Sequence, residues 1–350
     1  MTVKAQPAQG CAVWAGSEDE FCWSHYTTKK TMSVAMCEDA YRASMNNKHN
    51  LALAEQYDQK PLPETNMPVT GQASHWHAFL TLGFCQTTRG TVLKTCDHKG
   101  PLYVQKPFYP EGRDTAHVYL LHPPGGLVSG DRLTITANLA ENTHVLITTP
   151  GAGRVYRARK DKTLQHQITQ LNVAENSLME WLPQETILYP NAHTRLENCI
   201  DLADNAKFIG WEITCFGLPA NQEDFGEGHA EQGFQIRQNG RLKVRERLVI
   251  DDCSRAIFSA KAGLDGKPIN GLMIAGPFDS ANQDDLIDSL RQHCTQHGSL
   301  SGVSMVGEYI LVRSLHDDSE QVKQLFIQCW RDIRPALINK ESNEPRIWST

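Results

Sequence analysis

The sequence predicts a mainly β fold: a stacked-strand, β-helix- or solenoid-like sandwich with two α-helices in its C-terminal half. Three observations predict it. Short runs alternate apolar and polar residues, as half-buried strands do. A strand–turn–strand unit recurs in the middle of the chain. Two later stretches set apolar residues at helical spacing.

Taken in order, residues 1–75 show no sustained apolar periodicity, and Lys60-Pro61-Leu62-Pro63-Glu64-Thr65-Asn66-Met67-Pro68 reads as a linker. This segment is expected to be a disordered or variable N-terminal extension with one helix near Met32–Tyr57, and Met67 is a candidate start. Residues 76–350 form the second unit. Leu133, Ile135, Ala137 and Leu139 alternate with polar residues; so do Leu196, Asn198, Ile200 and Leu202, and Leu242, Val244, Glu246, Leu248 and Ile250. Leu139-Ala-Glu-Asn142 is echoed by Val173-Ala-Glu-Asn176 and Leu202-Ala-Asp-Asn205, each followed by a second apolar run. Asn suits such turns because it tolerates the left-handed conformation. One unit cannot bury its own apolar face, so the copies are expected to stack. Stacking would bring the loops at Pro150, Pro183 and Pro219 to one edge. Asp284–Gln296 puts Leu286, Ile287, Leu290 and Cys294 on one helical face. Ser319–Ile338 does the same with Val322, Leu325, Phe326, Cys329, Ile333 and Leu337, with Ser319 as the expected N-cap and Pro335 as an interruption or kink.

The chain has 350 residues, 34 Lys and Arg against 40 Asp and Glu, and a formal charge of −6. That balance argues against nucleic-acid binding, which needs clustered cations. No apolar run is long enough to span a bilayer, and no secretory signal opens the chain, so a cytoplasmic protein is expected. The ten cysteines form no C-x-x-C pair. His75-Trp76-His77 could ligate a metal from one strand face, but a surface pair without consequence is the simpler reading.

His122-Pro-Pro-Gly-Gly-Leu-Val-Ser-Gly-Asp131 is the densest loop signal. Such a segment lets backbone approach a neighbour closely or holds Asp131 in place. Gly125 and Gly130 have P-loop spacing, but Asp131-Arg132 stands where Lys-Ser/Thr is required. Gly151-Ala-Gly153 lacks the third glycine of a dinucleotide fingerprint, and no G-x-S-x-G elbow is present. The remaining chemistry lies in four acids, Asp131, Glu180, Glu185 and Glu223, all in turn-rich, apolar-flanked contexts. Three readings stand open. Each acid is structural; or two form a general acid/base pair, as in a β-solenoid carbohydrate-active enzyme; or they line a polar route for a divalent cation held loosely by oxygen. On the last reading, all four should face one shared cavity.

Several motifs in one order carry a resemblance: His122–Asp131, Thr148-Thr-Pro-Gly-Ala152 with Tyr156-Arg157, Glu180-Trp-Leu-Pro-Gln-Glu-Thr-Ile187, Gly210-Trp-Glu212, Pro107–Gly112 and Pro345-Arg-Ile-Trp348. Together, from Trp76 to Thr350, they resemble the urease accessory protein UreD (UreH) family. The resemblance implies a nickel-insertion chaperone, not an enzyme, with no tightly bound cofactor and nickel only in transit. It implies UreF, the GTPase UreG and apo-urease as partners, with Asp131, Glu180, Glu185 and Glu223 as a transient nickel path. The helix Ser319–Ile338 and the tail bearing Arg346 and Trp348 are expected at the UreF interface, as exposed anchors. Two positions depart from the family: Arg154 replaces the usual Lys, and Leu218 replaces a frequent Arg, leaving a partner for Glu223 in question.

Overall fold

The computed structural model describes residues 76–279, 283–298 and 300–349. Residues 1–75, including the helix expected near Met32–Tyr57 and His75, lie outside the described residues, as does Thr350.

Two sheets face each other. The first holds β1 (Trp76–Thr87), β2 (Gly90–Lys99), β5 (Asp131–Leu139), β8 (Gln165–Val173), β11 (His193–Leu202), β13 (His229–Gln238) and β14 (Arg241–Ile250), in the order β14-β13-β11-β8-β5-β1-β2. The second holds β3 (Tyr103–Val104), β4 (Thr115–Leu121), β6 (His144–Thr148), β9 (Leu178–Trp181), β12 (Lys207–Phe216), β15 (Ile269–Gly276), β16 (Leu300–Val306) and β17 (Tyr309–His316), in the order β16-β17-β15-β12-β9-β6-β4-β3. Short β7 (Gly153–Val155) and β10 (Thr186–Leu188) join it through β12.

The predicted repeat is the framework. β5, β8 and β11 are parallel neighbours in the first sheet, and β6, β9 and β12 in the second. Each coil crosses between sheets through its Asn turn. Asn142, Asn176 and Asn205 have φ of 60°, 55° and 54°. The turns stack: Asn142 N–H donates to Glu175 O at 3.1 Å, and Asn176 N–H to Asp204 O at 3.4 Å. Asn176 is exposed, so replacing it isolates the backbone effect. Asn176→Gly should be near neutral, while Asn176→Val should cost about 1–2 kcal/mol in denaturant unfolding, because a β-branched residue clashes at positive φ.

Two helices cover the outer face of the second sheet: α1 (Asp284–Gln296) and α2 (Ser319–Ile338), at the predicted bounds. One apolar cluster fills the space between the sheets and another lies between the second sheet and the helices, so the molecule has three layers. The N-cap of α2 is Asp318 rather than Ser319; its extended backbone lets the carboxylate accept Glu320 N–H at 2.9 Å. Pro335 neither ends nor precedes a break in α2, which runs on to Ile338 before Asn339 closes it in the left-handed region.

Candidate functional site

Along the middle strands, the row facing the other sheet turns from apolar to polar at one level. On β8 that row includes Gln167 and Thr169, on β11 Leu196 and Asn198, and on β13 Gln232. Opposite them stand Glu212 and Thr214 of β12. Cross-sheet hydrogen bonds tie the two walls: Asn198 Nδ2 donates to Glu212 Oε2 at 3.0 Å, and Gln232 Nε2 to Thr214 Oγ1 at 2.7 Å. Around them opens a cavity of 290 Å³ that runs to Thr149, Gly151 and Arg154. A second cavity, of 380 Å³, shares Glu212 and Gln232 as walls and leads toward Glu246 and Arg313. Glu212 and Gln232 thus stand between two voids that open in different directions.

The polarity of this level is not fully used by the protein itself. Thr169 Oγ1 and Gln232 Oε1 are buried and have no hydrogen-bond partner. Burying an oxygen this way is costly unless something else occupies the space beside it. Glu212 lies deep between the sheets, with its accessible surface turned into the cavity. Burial pushes its carboxyl up, Glu246 adds to this and Asn198 opposes it, leaving a value of about 7.

The four acids singled out in the sequence do not share this cavity. Met179 and Trp181 face the inter-sheet core, so Glu180 between them points the other way, under α2. It is fully buried and serves as a structural anchor. His144 Nε2 approaches Glu180 Oε1 at 2.6 Å, Arg334 Nε donates to the same oxygen at 3.1 Å, and Trp330 Nε1 donates to Oε2 at 2.7 Å. Arg334 reaches on to Glu111 at 2.7 Å, and His117 meets Glu111 at 2.6 Å. Burial pushes the Glu180 carboxyl up, but His144, Arg334 and Trp330 outweigh it and hold it at about 2.

Asp131 accepts Val128 N–H at 2.8 Å and pins its own glycine-rich loop. That loop lies against β7, and a Cβ on Gly126 would stand 2.5 Å from Arg154 O. Both reasons offered for the loop therefore hold, close approach and the fixing of Asp131. Glu185 is half-buried outside the cavity wall. Its field, second to burial, raises the Cys215 thiol to about 11. Glu223 is exposed and walls a separate cavity of 480 Å³ beside Phe225 and Phe258. Since water solvates Glu223, Leu218 leaves no buried charge without a partner. Of the edge loops, those at Pro150 and Pro183 meet, with Gln184 N–H donating to Thr149 Oγ1 at 2.9 Å; both line the inter-sheet cavity, which the loop at Pro219 does not.

Trp348 is not an exposed anchor. The tail folds back so that Trp348 Nε1 donates to Thr148 Oγ1 at 2.8 Å, with its ring 5.7 Å from Trp211 and 5.8 Å from Trp330. Arg346 remains exposed. An aromatic ring gains more from the second apolar cluster than from water, which is why the tail closes. Trp348→Ala should cost about 2–3 kcal/mol, less than a fully buried Trp because the ring is half-covered; thermal melting measures it.

Glu212 was within reach of sequence reasoning, in Gly210-Trp-Glu212, but its side of the strand was not. Among the described residues, no group of three or more His, Cys, Asp or Glu is arranged to hold a metal ion, and no helix is long and apolar enough to cross a membrane.

A sequence model of the UreD urease accessory protein family matches residues 77–349. The chain is 86% identical over 312 residues to the urease accessory protein UreD of Marinomonas sp. (strain MWYL1), covering 87% of this chain and 100% of that one. It is 38% identical over 303 residues to the UreD of Psychromonas ingrahamii, covering 82% and 98%. It is 40% identical over 282 residues to the UreD 1 of Psychrobacter cryohalolentis, covering 79% and 92%.

Proposed function

Because the chain belongs to the UreD family of urease accessory proteins, we propose that it serves urease maturation as a nickel conduit, receiving the ion from a UreF/UreG assembly and passing it to apo-urease. The observation that carries this reading is the polar level between the sheets. Glu212, Asn198, Gln232 and Thr214 line two voids that meet at Glu212 and Gln232, and offer them carboxylate, amide and hydroxyl oxygens.

A divalent ion cannot cross an apolar core without compensating ligands. Oxygen donors hold a borderline cation such as nickel loosely, whereas thiolate and imidazole clusters hold it firmly. A carboxyl poised near neutrality can release a proton as the cation arrives and take one back as it leaves, so the passage need not carry a standing charge. Nickel is cargo on this reading, and the protein has no catalytic role. Glycoside hydrolysis by two of Asp131, Glu180, Glu185 and Glu223 would need two of these carboxylates on one open cleft. The four share no cavity, and Glu180 is sealed beneath α2. Arg346, exposed beside the folded-back tail, remains available to a UreF surface, while Trp348 would act by fixing the tail.

The test is reconstitution. The chain is purified with UreF, UreG and apo-urease, and nickel and GTP are added. Urease activity and bound nickel should both rise only when all components are present. Equal activation without this chain would remove the proposal.

A further inference from the structure

We infer that the exposed basic segment 154–162, beside the mouth of the inter-sheet cavity, is a docking surface for a carboxylate-rich protein face. Arg154, Arg157, Arg159, Lys160 and Lys162 fall in this stretch, with Asp161 as its only acid, in a chain whose overall charge is −6. All five cations are exposed. Among the described residues, the only ion pair that engages them is Arg159 with Asp161, at 3.8 Å in solvent. Such a pair neutralises little.

The backbone beneath these charges is held in place. Tyr156 N–H donates to Leu127 O at 3.0 Å, Ala158 N–H to Asn191 O at 3.0 Å, and Arg159 N–H to Ser129 Oγ at 2.8 Å. Gln165 Nε2 donates to Tyr156 O at 2.7 Å. The surface is therefore ordered before any partner arrives, which lowers the entropy lost on docking. Its field is felt locally: the His193 ring is held below its usual value by burial first, then by His229 and Lys162, with Asp252 opposing.

The chemistry of the segment selects among polyanions. Its one aromatic ring, Tyr156, packs edge-on against Tyr189 at 5.1 Å, so no free platform exists for stacking bases. Val155 is buried, so within the segment only the small side chain of Ala158 is offered to a bilayer. Guanidinium forks matched to carboxylates remain.

The placement also bears on delivery, and here the inference rests on the conduit reading. Arg154 walls the cavity mouth. A cationic rim repels a free divalent ion, so a cation entering there would arrive already held by the partner's carboxylates. Docking would then let the arginines take over those carboxylates as the ion moves inward.

The experiment compares the full chain with its R157E/R159E/K160E and R157K/R159K variants, all leaving Arg154 in place. Association is followed with apo-urease and with each other maturation protein separately. Polyglutamate, duplex DNA and phosphatidylglycerol vesicles serve as further probes. The reversed variant should melt as the wild type does, yet associate at least about tenfold more slowly with one of the proteins and with polyglutamate. The wild-type rate should fall steeply with salt, and the lysine variant should keep most of it. Unchanged association of the reversed variant would overturn the inference. So would wild-type binding to DNA or vesicles with none to polyglutamate or the proteins. A wild type that docks in this charge-dependent way but moves no nickel would uphold the docking surface and remove the conduit.

Discussion

Glu180→Ala is expected to lower stability by about 3–5 kcal/mol, the largest loss of any single change considered. Removing the carboxylate leaves the Arg334 guanidinium, fully buried, with half of its anionic support, and leaves Trp330 N–H and the His144 ring without their acceptor. These groups join α2 to β6 and β9, so the helix layer should loosen first. Hydrogen exchange should show α2 amides losing protection before those of β5 and β8. A drop of under about 1 kcal/mol, with α2 protection unchanged, would contradict the anchor assignment.

The same residue predicts an acid limb. Its carboxyl titrates near 4.5 when unfolded and at about 2 when folded. A depressed folded value means the stabilisation is complete above 4.5 and is lost as pH falls from 4.5 toward 2. The full difference is on the order of 3 kcal/mol. Unfolding at pH 6 and at pH 3 should therefore differ more in the wild type than in Glu180→Gln.

The fold was legible because its signals are local and repeated. Alternation in β5 and β11 fixes which face is buried, and Asn142, Asn176 and Asn205 mark turns that only a few residues tolerate. Adjacent copies then set strand order, and helical spacing set α1 and α2. The site was less legible for a specific reason. β6 and β9 are buried along their whole length and β12 nearly so, because the second sheet has the core on one face and helices on the other. Strands covered on both faces do not alternate, so sequence cannot say which side a given residue faces. Glu180 and Glu212 sit in similar apolar words, Met-Glu-Trp and Trp-Glu-Ile, yet point into opposite layers. A one-residue difference in parity sends the first under α2 and the second between the sheets. Trp348 was misplaced for a related reason, since nothing local shows that a tail will find Thr148 and Trp211.

Glu212→Gln should separate transport from folding, because its two effects run in opposite directions. The carboxyl's folded value of about 7 lies above its unfolded 4.5, so the folded state binds the extra proton between those limits. Wild-type stability should consequently fall as pH rises from 4.5 to 7, then level off. Gln keeps the volume and the bond from Asn198 but cannot ionise, so the variant should show no such decline. Above pH 7 it should be the more stable protein, by up to about 3 kcal/mol less whatever cavity water screens. On the conduit reading, its delivery of nickel should nevertheless fall by about tenfold or more, since the passage would lose the one carboxylate shared by its two voids. Co-purification with UreF, UreG and apo-urease should be unchanged, because the Glu212 side chain faces the inter-sheet cavities rather than an outer face of the molecule. Normal activation by a variant that shows the predicted gain in stability would place the nickel route elsewhere, since the variant would then be known to be folded and assembled. Loss of activation together with loss of assembly would instead make Glu212 a structural residue, and the stability curve above pH 7 distinguishes that outcome before any nickel is added.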